Sequence, residues 1–454
     1  MDVLSWSRLQ FGDTAAFHIL WPLMSIGLAL YMFVMEVLWI TTKDERYYRQ
    51  LRFWTKPFVL TFAIGTASGL PLAFQFGTNW SQFAQAAGDF LGNILGFETT
   101  IAFALESAFL AILVFGWKKV HPLVHLLSTG MVLLGASISA FWIMAANSWM
   151  QTPLGVTYTN GKLIVTNYTQ AIFNPDTVVS FTHMWFACVE STLFMMAGIS
   201  AIKLLKKSPK ETKTFFLSTF KFCIGILVVI APLQLVVGDL SGQIVGRYQP
   251  EKLAAMELQW QTNAPGIGAP LRLVAIPNDA TQHNSFEIAI PGALSLMETH
   301  EPTGQVAGLT SFPAEDRPST VQAAITFYTF RLMVLIGLIM AALMLAGCWY
   351  WYQGTLSVDR IGKHPLFLWA WILSIPLGIV ATESGWMVRE IGRQPWIVYH
   401  IIRTADGVST GLYSAEVATT TLAITLMYVV FSITFIYLVS KMIAKGPDLT
   451  SPLP

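Results

Sequence analysis

Six side chains stand where apolar segments of the chain approach one boundary: His18, Glu98, Glu106, His183, Met333 and Glu390. Ionisable groups are expensive in hydrocarbon, so each is a functional candidate by position alone. Histidine and methionine are axial donors for haem iron, and a carboxyl group in a low-dielectric bundle can carry protons. Redox chemistry at a buried porphyrin, fed with protons, is what such a set could perform.

The elements that must hold these groups are membrane helices. Hydrophobic residues make up 54% of the chain and charged residues only 12%, too few to give a globule of this size a polar surface. Apolar stretches near the ~20 residues needed to cross a bilayer occur at about residues 13 to 40, 54 to 76, 93 to 116, 123 to 149, 178 to 204, 215 to 237, 321 to 350, 366 to 388 and 415 to 444. The reading is an all-α polytopic membrane protein with nine transmembrane helices. The first stretch contains His18 and Pro22 and has no basic leader with a small-residue cleavage site, so it is expected to stay as a helix.

Short loops rich in Lys and Arg remain in the cytoplasm. Lys43, Arg46, Arg49 and Arg52 follow the first stretch, Lys118 and Lys119 the third, Lys203 to Lys213 the fifth, Arg360 and Lys363 the seventh, and Lys441 and Lys445 the ninth. The alternate loops 77–91 and 151–177 carry only Lys162. The N-terminus is therefore expected outside and the C-terminus in the cytoplasm. A net charge of +1, with its basic residues spread over five loops, gives no footprint for nucleic acid.

Three regions follow: helices one to six over 1–237, an external loop over 238–320, and helices seven to nine over 321–454. The loop is too long for a passive link. It opens with Gly238, Asp239 and Gly242, continues through an expected amphipathic helix from Gln249 to Gln261 bearing Lys252 and Glu257, and turns Pro- and Gly-rich toward Phe312 and Pro313. Cys188, Cys223 and Cys348 lie within expected helices, and no C-x-x-C-H motif is present to attach haem covalently. Neither a Walker loop nor a G-x-G-x-x-G turn after a strand supports nucleotide binding, and no internal repeat suggests an inverted-repeat transporter.

By depth, His18, His183, Met333 and Glu390 all fall in the outer half of the membrane. A His/Met pair gives a six-coordinate, electron-transferring haem, whereas a single protein donor leaves a position for dioxygen. Depth alone does not assign the pairs, because an intramembrane His serves equally to bond a neighbouring carbonyl and Met is ordinary core filler. Arg331, two residues before Met333, calls for an anion such as a haem propionate. Glu98 and Glu106 lie eight residues apart, about two turns along one face, and form a stack suited to proton relay; the bland alternative is a pair of buried acids satisfied by hydroxyls such as Ser107. His121 and His125 are expected at the inner interface. Glu190 and Glu383 are further intramembrane acids without an assigned role.

The segments SRLQFGDTAAFHILWPL, FQFGTNWS, FETTIAFALES, FWIMAANSWMQTP, VVSFTHMWF, GDLSGQIVGRYQPEKLAAMELQWQT, FRLMV and ESGWMVREIGRQPW together resemble subunit I of cytochrome bd-type quinol oxidases over essentially the whole chain. The resemblance implies that His183 and Met333 ligate a low-spin haem b with Arg331 beside it, that Glu390 ligates a high-spin haem b, and that His18 ligates the oxygen-reducing haem d. Trp386 and Arg393 would pack around these groups, Lys252 and Glu257 would bind and deprotonate quinol, and Glu106 and Glu98 would lead protons to the oxygen site. The loop runs quickly into FYTFRLMV, as in the short-loop, cyanide-insensitive members, in which a third haem b can replace haem d.

What this implies is a terminal oxidase subunit of the bacterial inner membrane. It would oxidise quinol outside, reduce dioxygen to water with cytoplasmic protons, and so generate a proton-motive force without pumping. Its implied partners are a second large subunit, a small single-helix subunit, quinol, dioxygen and the lipid bilayer. A proton-coupled transporter, which would hold no haem, and a quinol-oxidising cytochrome b without an oxygen-reactive haem are the alternatives.

Overall fold

In a computed structural model describing residues 1–450, nine helices are long and apolar enough to cross a membrane. They are Val3–Thr42, Glu45–Thr78, Gly88–Phe115, Pro122–Gln151, Tyr168–Leu205, Lys210–Tyr248, Thr320–Tyr352, Pro365–Ile391 and Ser414–Lys445. The C-terminal end, 451–454, lies outside the described residues. Local chemistry fixes several boundaries. Asp2 caps the first helix by accepting from the Ser5 amide, and Ser319 and Gln322 form a reciprocal capping box at the start of the seventh.

The first and fifth helices are the most enclosed and carry His18 and His183; the ninth is almost wholly peripheral. First and fifth approach closely at Gly27, where a Cβ would lie 2.3 Å from Thr192 Oγ1, and that hydroxyl donates to the Leu23 carbonyl at 3.1 Å. The main core joins Leu28, Met32 and Trp54 to Phe194, Phe216, Phe220 and Trp371. Such interdigitation, not water exclusion, is what holds helices together in lipid.

Several expectations require correction. The sixth helix runs to Tyr248, so Gly238, Asp239 and Gly242 are helical and the external segment begins at residue 249. The helix expected from Gln249 to Gln261 spans only Pro250–Met256, and Leu258 adopts a φ of 44°, a left-handed conformation that no continuing helix accommodates. The rest of the segment is folded: Leu271–Asn278 pairs with His283–Ile290 in an antiparallel hairpin, followed by a helix at Ala293–Thr299. The helical membrane fold is as expected, with two smaller hairpins, Val156–Thr159 with Lys162–Val165 and Trp396–Val398 with Ile402–Arg403, added outside the spans. The third span passes through a π-helical stretch at Glu98–Phe103, and the eighth divides into Pro365–Leu373 and Leu377–Ile391 beside Pro376. His121 is exposed as expected, but His125 is buried and pairs with the buried Glu36 at 2.6 Å.

Candidate functional site

The fifth, sixth, seventh and eighth spans enclose a cavity of about 400 Å³, closed on one side by the external segment. His183 and Met333 both line it, with Trp386, Arg389, Lys252 and Glu257. The two expected iron donors thus share one space with the two expected quinol residues, although the four come from three separate parts of the chain.

The surroundings fit a large planar group held by His183 and Met333. His183 Nδ1 and Trp386 Nε1 are buried without hydrogen-bond partners, and such groups are normally satisfied. Two glycines leave the donors their room. A Cβ at Gly238 would lie 3.2 Å from His183 Cε1, and one at Gly385 would lie 2.9 Å from Met333 Sδ.

His18 lies elsewhere, between the first and second spans. Its Nδ1 is 2.9 Å from Ser68 Oγ, and the Ser68 hydroxyl itself donates to the Gly65 carbonyl at 3.0 Å. The hydroxyl's one hydrogen is thereby committed, so it accepts from Nδ1–H. The Nε2 lone pair is left for a ligand, the arrangement that second-sphere bonds to metal-bound histidines enforce.

Glu390 ends the eighth span beside Arg393, whose Nη2 lies 2.5 Å from a carboxylate oxygen. Asn147 donates to the other oxygen at 2.8 Å. The Glu390 side chain nevertheless keeps 37% of its surface accessible, enough to leave a coordination face open. Arg393 is buried, and burial lowers its pKa against the pull of Glu390. Lys252 reaches the same neighbourhood: its Nζ donates to Gln151 Oε1 at 2.6 Å, and Gln151 Nε2 is 3.5 Å from Glu390 Oε1. Burial first, then Arg389 and Arg393, hold the Lys252 ammonium well below its ordinary pKa.

Arg331 meets an anion of the protein where a propionate is expected from sequence. Its guanidinium grips Glu257 at 2.5 and 3.2 Å and donates to the Arg272 carbonyl at 2.7 Å. Burial raises the Glu257 pKa, and Arg331 works against it. On the third span, Glu98 accepts from Ser139 at 2.7 Å, while Glu106 packs where a Cβ on Gly135 would be 2.6 Å from its Cγ. Both acids therefore face the fourth span, and the exposed Ser107 bonds neither. Glu190 is buried and lines the cavity, and one oxygen of Glu383 is buried without a partner.

Sequence reasoning missed Arg389, which lines the cavity and is held by Asp176 at 2.6 Å, Ser180 at 2.9 Å and Ser148 at 3.1 Å. Its signal lay in the quoted segment GWMVREIGRQPW. Asn147, Gln151 and Ser139 carried no comparable signal, being neutral residues in an apolar run.

The comparisons with known proteins agree over nearly the full length. Residues 6–447 match the family model described as cytochrome bd terminal oxidase subunit I. The chain is 34% identical to a cytochrome bd ubiquinol oxidase subunit 1 of Bacillus subtilis, over 99% of this chain and 95% of that one. It is 32% identical to a cytochrome bd-II ubiquinol oxidase subunit 1 of Escherichia coli, over 98% and 97%. The solved bd oxidase of Geobacillus thermodenitrificans superposes with a TM-score of 0.87 at 30% identity, covering 98% of this chain and 99% of that chain. With nine membrane-spanning helices among its described residues and a fold shared with a solved relative, this chain belongs to the cytochrome bd terminal oxidase subunit I family.

Proposed function

We propose that this subunit oxidises a membrane quinol at the cavity beneath the external segment and delivers the electrons to dioxygen. One observation carries the reading: His183 and Met333 line the same cavity as Lys252 and Glu257. Iron donors and groups able to bind and deprotonate a quinol head are thereby brought together.

In this reading His183 and Met333 hold a low-spin haem b, Glu390 a high-spin haem b, and His18 a haem d or a third haem b; Arg331, Trp386 and Arg393 flank them. These groups, when bound, supply one-electron transfer and dioxygen reduction. The chain's own residues do the rest. Lys252 and Glu257 orient the quinol head, and Glu257 accepts a proton while Arg331 keeps its carboxylate in place. Ser68 holds His18 in the tautomer that presents Nε2. Glu106 and Glu98 hand protons along the fourth span toward the oxygen-reducing side. Basic loops at one end of the bundle orient the subunit so that quinol protons leave outside and consumed protons enter from the cytoplasm. Charge separation then needs no pump. The catalytic unit is a complex with a second large subunit and a small single-helix subunit in the bacterial inner membrane.

The test is the reduced-minus-oxidised optical spectrum of the complex, taken with oxygen uptake driven by quinol. A chlorin band beside haem b bands, with quinol-dependent uptake, is expected for the three-haem form with haem d. Haem b bands alone identify the haem-b-only form. Absence of haem refutes the reading.

A further inference from the structure

One acid lining this cavity has no part in the proposed quinol chemistry of Lys252 and Glu257. Glu298, on the helix Ala293–Thr299 of the external segment, lines the cavity together with Glu257 and Asp239. Its carboxylate lies against the sixth span at Gly246, with Oε1 1.5 Å from where a Cβ on that glycine would be. Any residue other than glycine at 246 would displace it.

The neighbouring acids are already engaged. Glu257 is ion-paired to Arg331, Asp239 accepts from Gln243 at 2.7 Å, and Asp176 is ion-paired to Arg389. The Glu298 carboxylate has no hydrogen-bond or ion-pair partner among the described residues, yet it is half-buried at the opening. An unengaged carboxylate at a cavity mouth is free both to take a proton from a ligand and to lose it to water.

We propose that Glu298 is the second proton acceptor of the quinol site, working beside Glu257. The inference rests on the quinol reading of the cavity. A quinol has two phenolic O–H bonds. As it is oxidised, one proton passes to the Glu257 carboxylate and the other to Glu298, forming a carboxyl O–H on each. The two electrons would leave one at a time to the haem that His183 and Met333 would hold, which passes each on before taking the next. The Glu298 O–H then breaks toward solvent at the loop surface, which regenerates the base.

The charge environment suits a base that recycles near neutrality. Burial, then the negative charges of Glu257 and Asp239, raise the Glu298 pKa to about 7. The cations on this side are engaged elsewhere: Arg331 pairs with Glu257, Arg272 with Glu287 and Arg389 with Asp176, and Lys252 is bonded to Gln151. The base is charged above that pH, so quinol turnover should rise as pH increases through about 7.

The experiment compares Glu298→Gln, Glu298→Asp, Gly246→Ala and Glu257→Gln in the full complex, with the haem spectrum as a check on folding. Gly246→Ala favours the helix intrinsically but takes the carboxylate's space. Glu298→Gln and Gly246→Ala should lower quinol kcat by about tenfold or more at neutral pH, flatten its rise with pH, and leave quinol KM nearly unchanged. Oxygen uptake from a donor that bypasses the cavity should persist, and Glu298→Asp should restore part of the pH dependence. Independently of turnover, a carboxyl C=O infrared band titrating near 7 should vanish in Glu298→Gln. If Glu298→Gln keeps both the pH profile and that band while Glu257→Gln loses quinol turnover, the role of Glu298 is refuted and the cavity reading stands. If Glu257→Gln also keeps full quinol turnover, the cavity reading falls and the proposal with it.

Discussion

Arg331 and Glu257 are joined by a 2.5 Å salt bridge between the seventh span and the external segment. Because Met333 lies two residues along the same helix, this pair ties the proposed quinol base to the helix carrying a proposed haem ligand. The Arg331 side chain is 17% exposed and that of Glu257 3%, so the bridge sits where removing one charge leaves the other poorly solvated.

Glu257→Gln preserves the shape of this contact while removing the base. Quinol-driven oxygen uptake should fall by about two orders of magnitude, while uptake driven by an artificial donor that bypasses the cavity persists. Parallel rates with the two donors measure it. Equal loss of both would show that Glu257 serves the haem and not the quinol.

Met333→Leu conserves volume and should cost less than about 1.5 kcal/mol of stability. It should nevertheless abolish or convert the low-spin haem signal, because leucine offers no lone pair. An unchanged low-spin band in the reduced spectrum would remove Met333 from the ligand set.

The fold was legible wherever apolar length decided it. All nine spans among the described residues follow from hydropathy, but the central positions of the helices bearing His18 and His183 do not, since the fifth span is less apolar than the ninth yet far more enclosed. Helix ends were less legible: Gly238, Asp239 and Gly242 read as a loop, yet the sixth helix continues through them because it packs against the cavity and the external segment. The hairpin at 271–290 was missed because its strands leave many apolar side chains exposed, including Ile276, Phe286 and Ile288, and show no clean alternation. At the site, residue type pointed to His183 and Met333 and the family resemblance to Lys252 and Glu257, but only tertiary packing brings the two pairs together. Partners such as Gln151 and Ser139 are ordinary polar residues until their neighbours are known. His125 misled because its proximity to a basic loop suggested an interface, whereas Glu36, 89 positions earlier, satisfies it in the interior.

Ser68 carries a prediction about His18. Its hydroxyl fixes Nδ1–H, so Ser68→Ala should let the imidazole tautomerise and rotate. Loss of such an outer partner typically weakens metal binding by about 10- to 100-fold. The haem assigned to His18 should therefore be depleted on purification while the His183/Met333 haem is retained, a difference read directly from the optical spectrum. Equal retention of all haems would disprove the tautomer argument.

Lys252 links pH to stability with a definite sign. Its pKa in the folded protein lies well below the ordinary 10.5, so over that window the unfolded chain binds the extra proton. Stability then rises with pH across the window and is lost as pH falls toward the folded pKa. Lys252→Met removes this contribution. Thermal unfolding of the purified complex from neutral to alkaline pH should show a shallower rise in Tm for the variant; identical slopes would mean that the amine is solvated in the native state.

Gly135 gives the sharpest test of the acid relay, because it alters no titratable group. A Cβ there would stand 2.6 Å from Glu106 Cγ and 3.2 Å from the Ala102 carbonyl, so Gly135→Ala must push the Glu106 side chain away from the fourth span. Glu98, bonded to Ser139 one turn further along that span, should stay in place. If protons for dioxygen reduction pass by way of Glu106, oxygen uptake should fall severalfold with quinol and with the bypassing donor alike. Quinol binding should not change, since Glu106 does not line the proposed quinol cavity. A variant with full turnover from both donors would exclude Glu106 from the proton path. A loss confined to quinol would place the fault in the cavity instead.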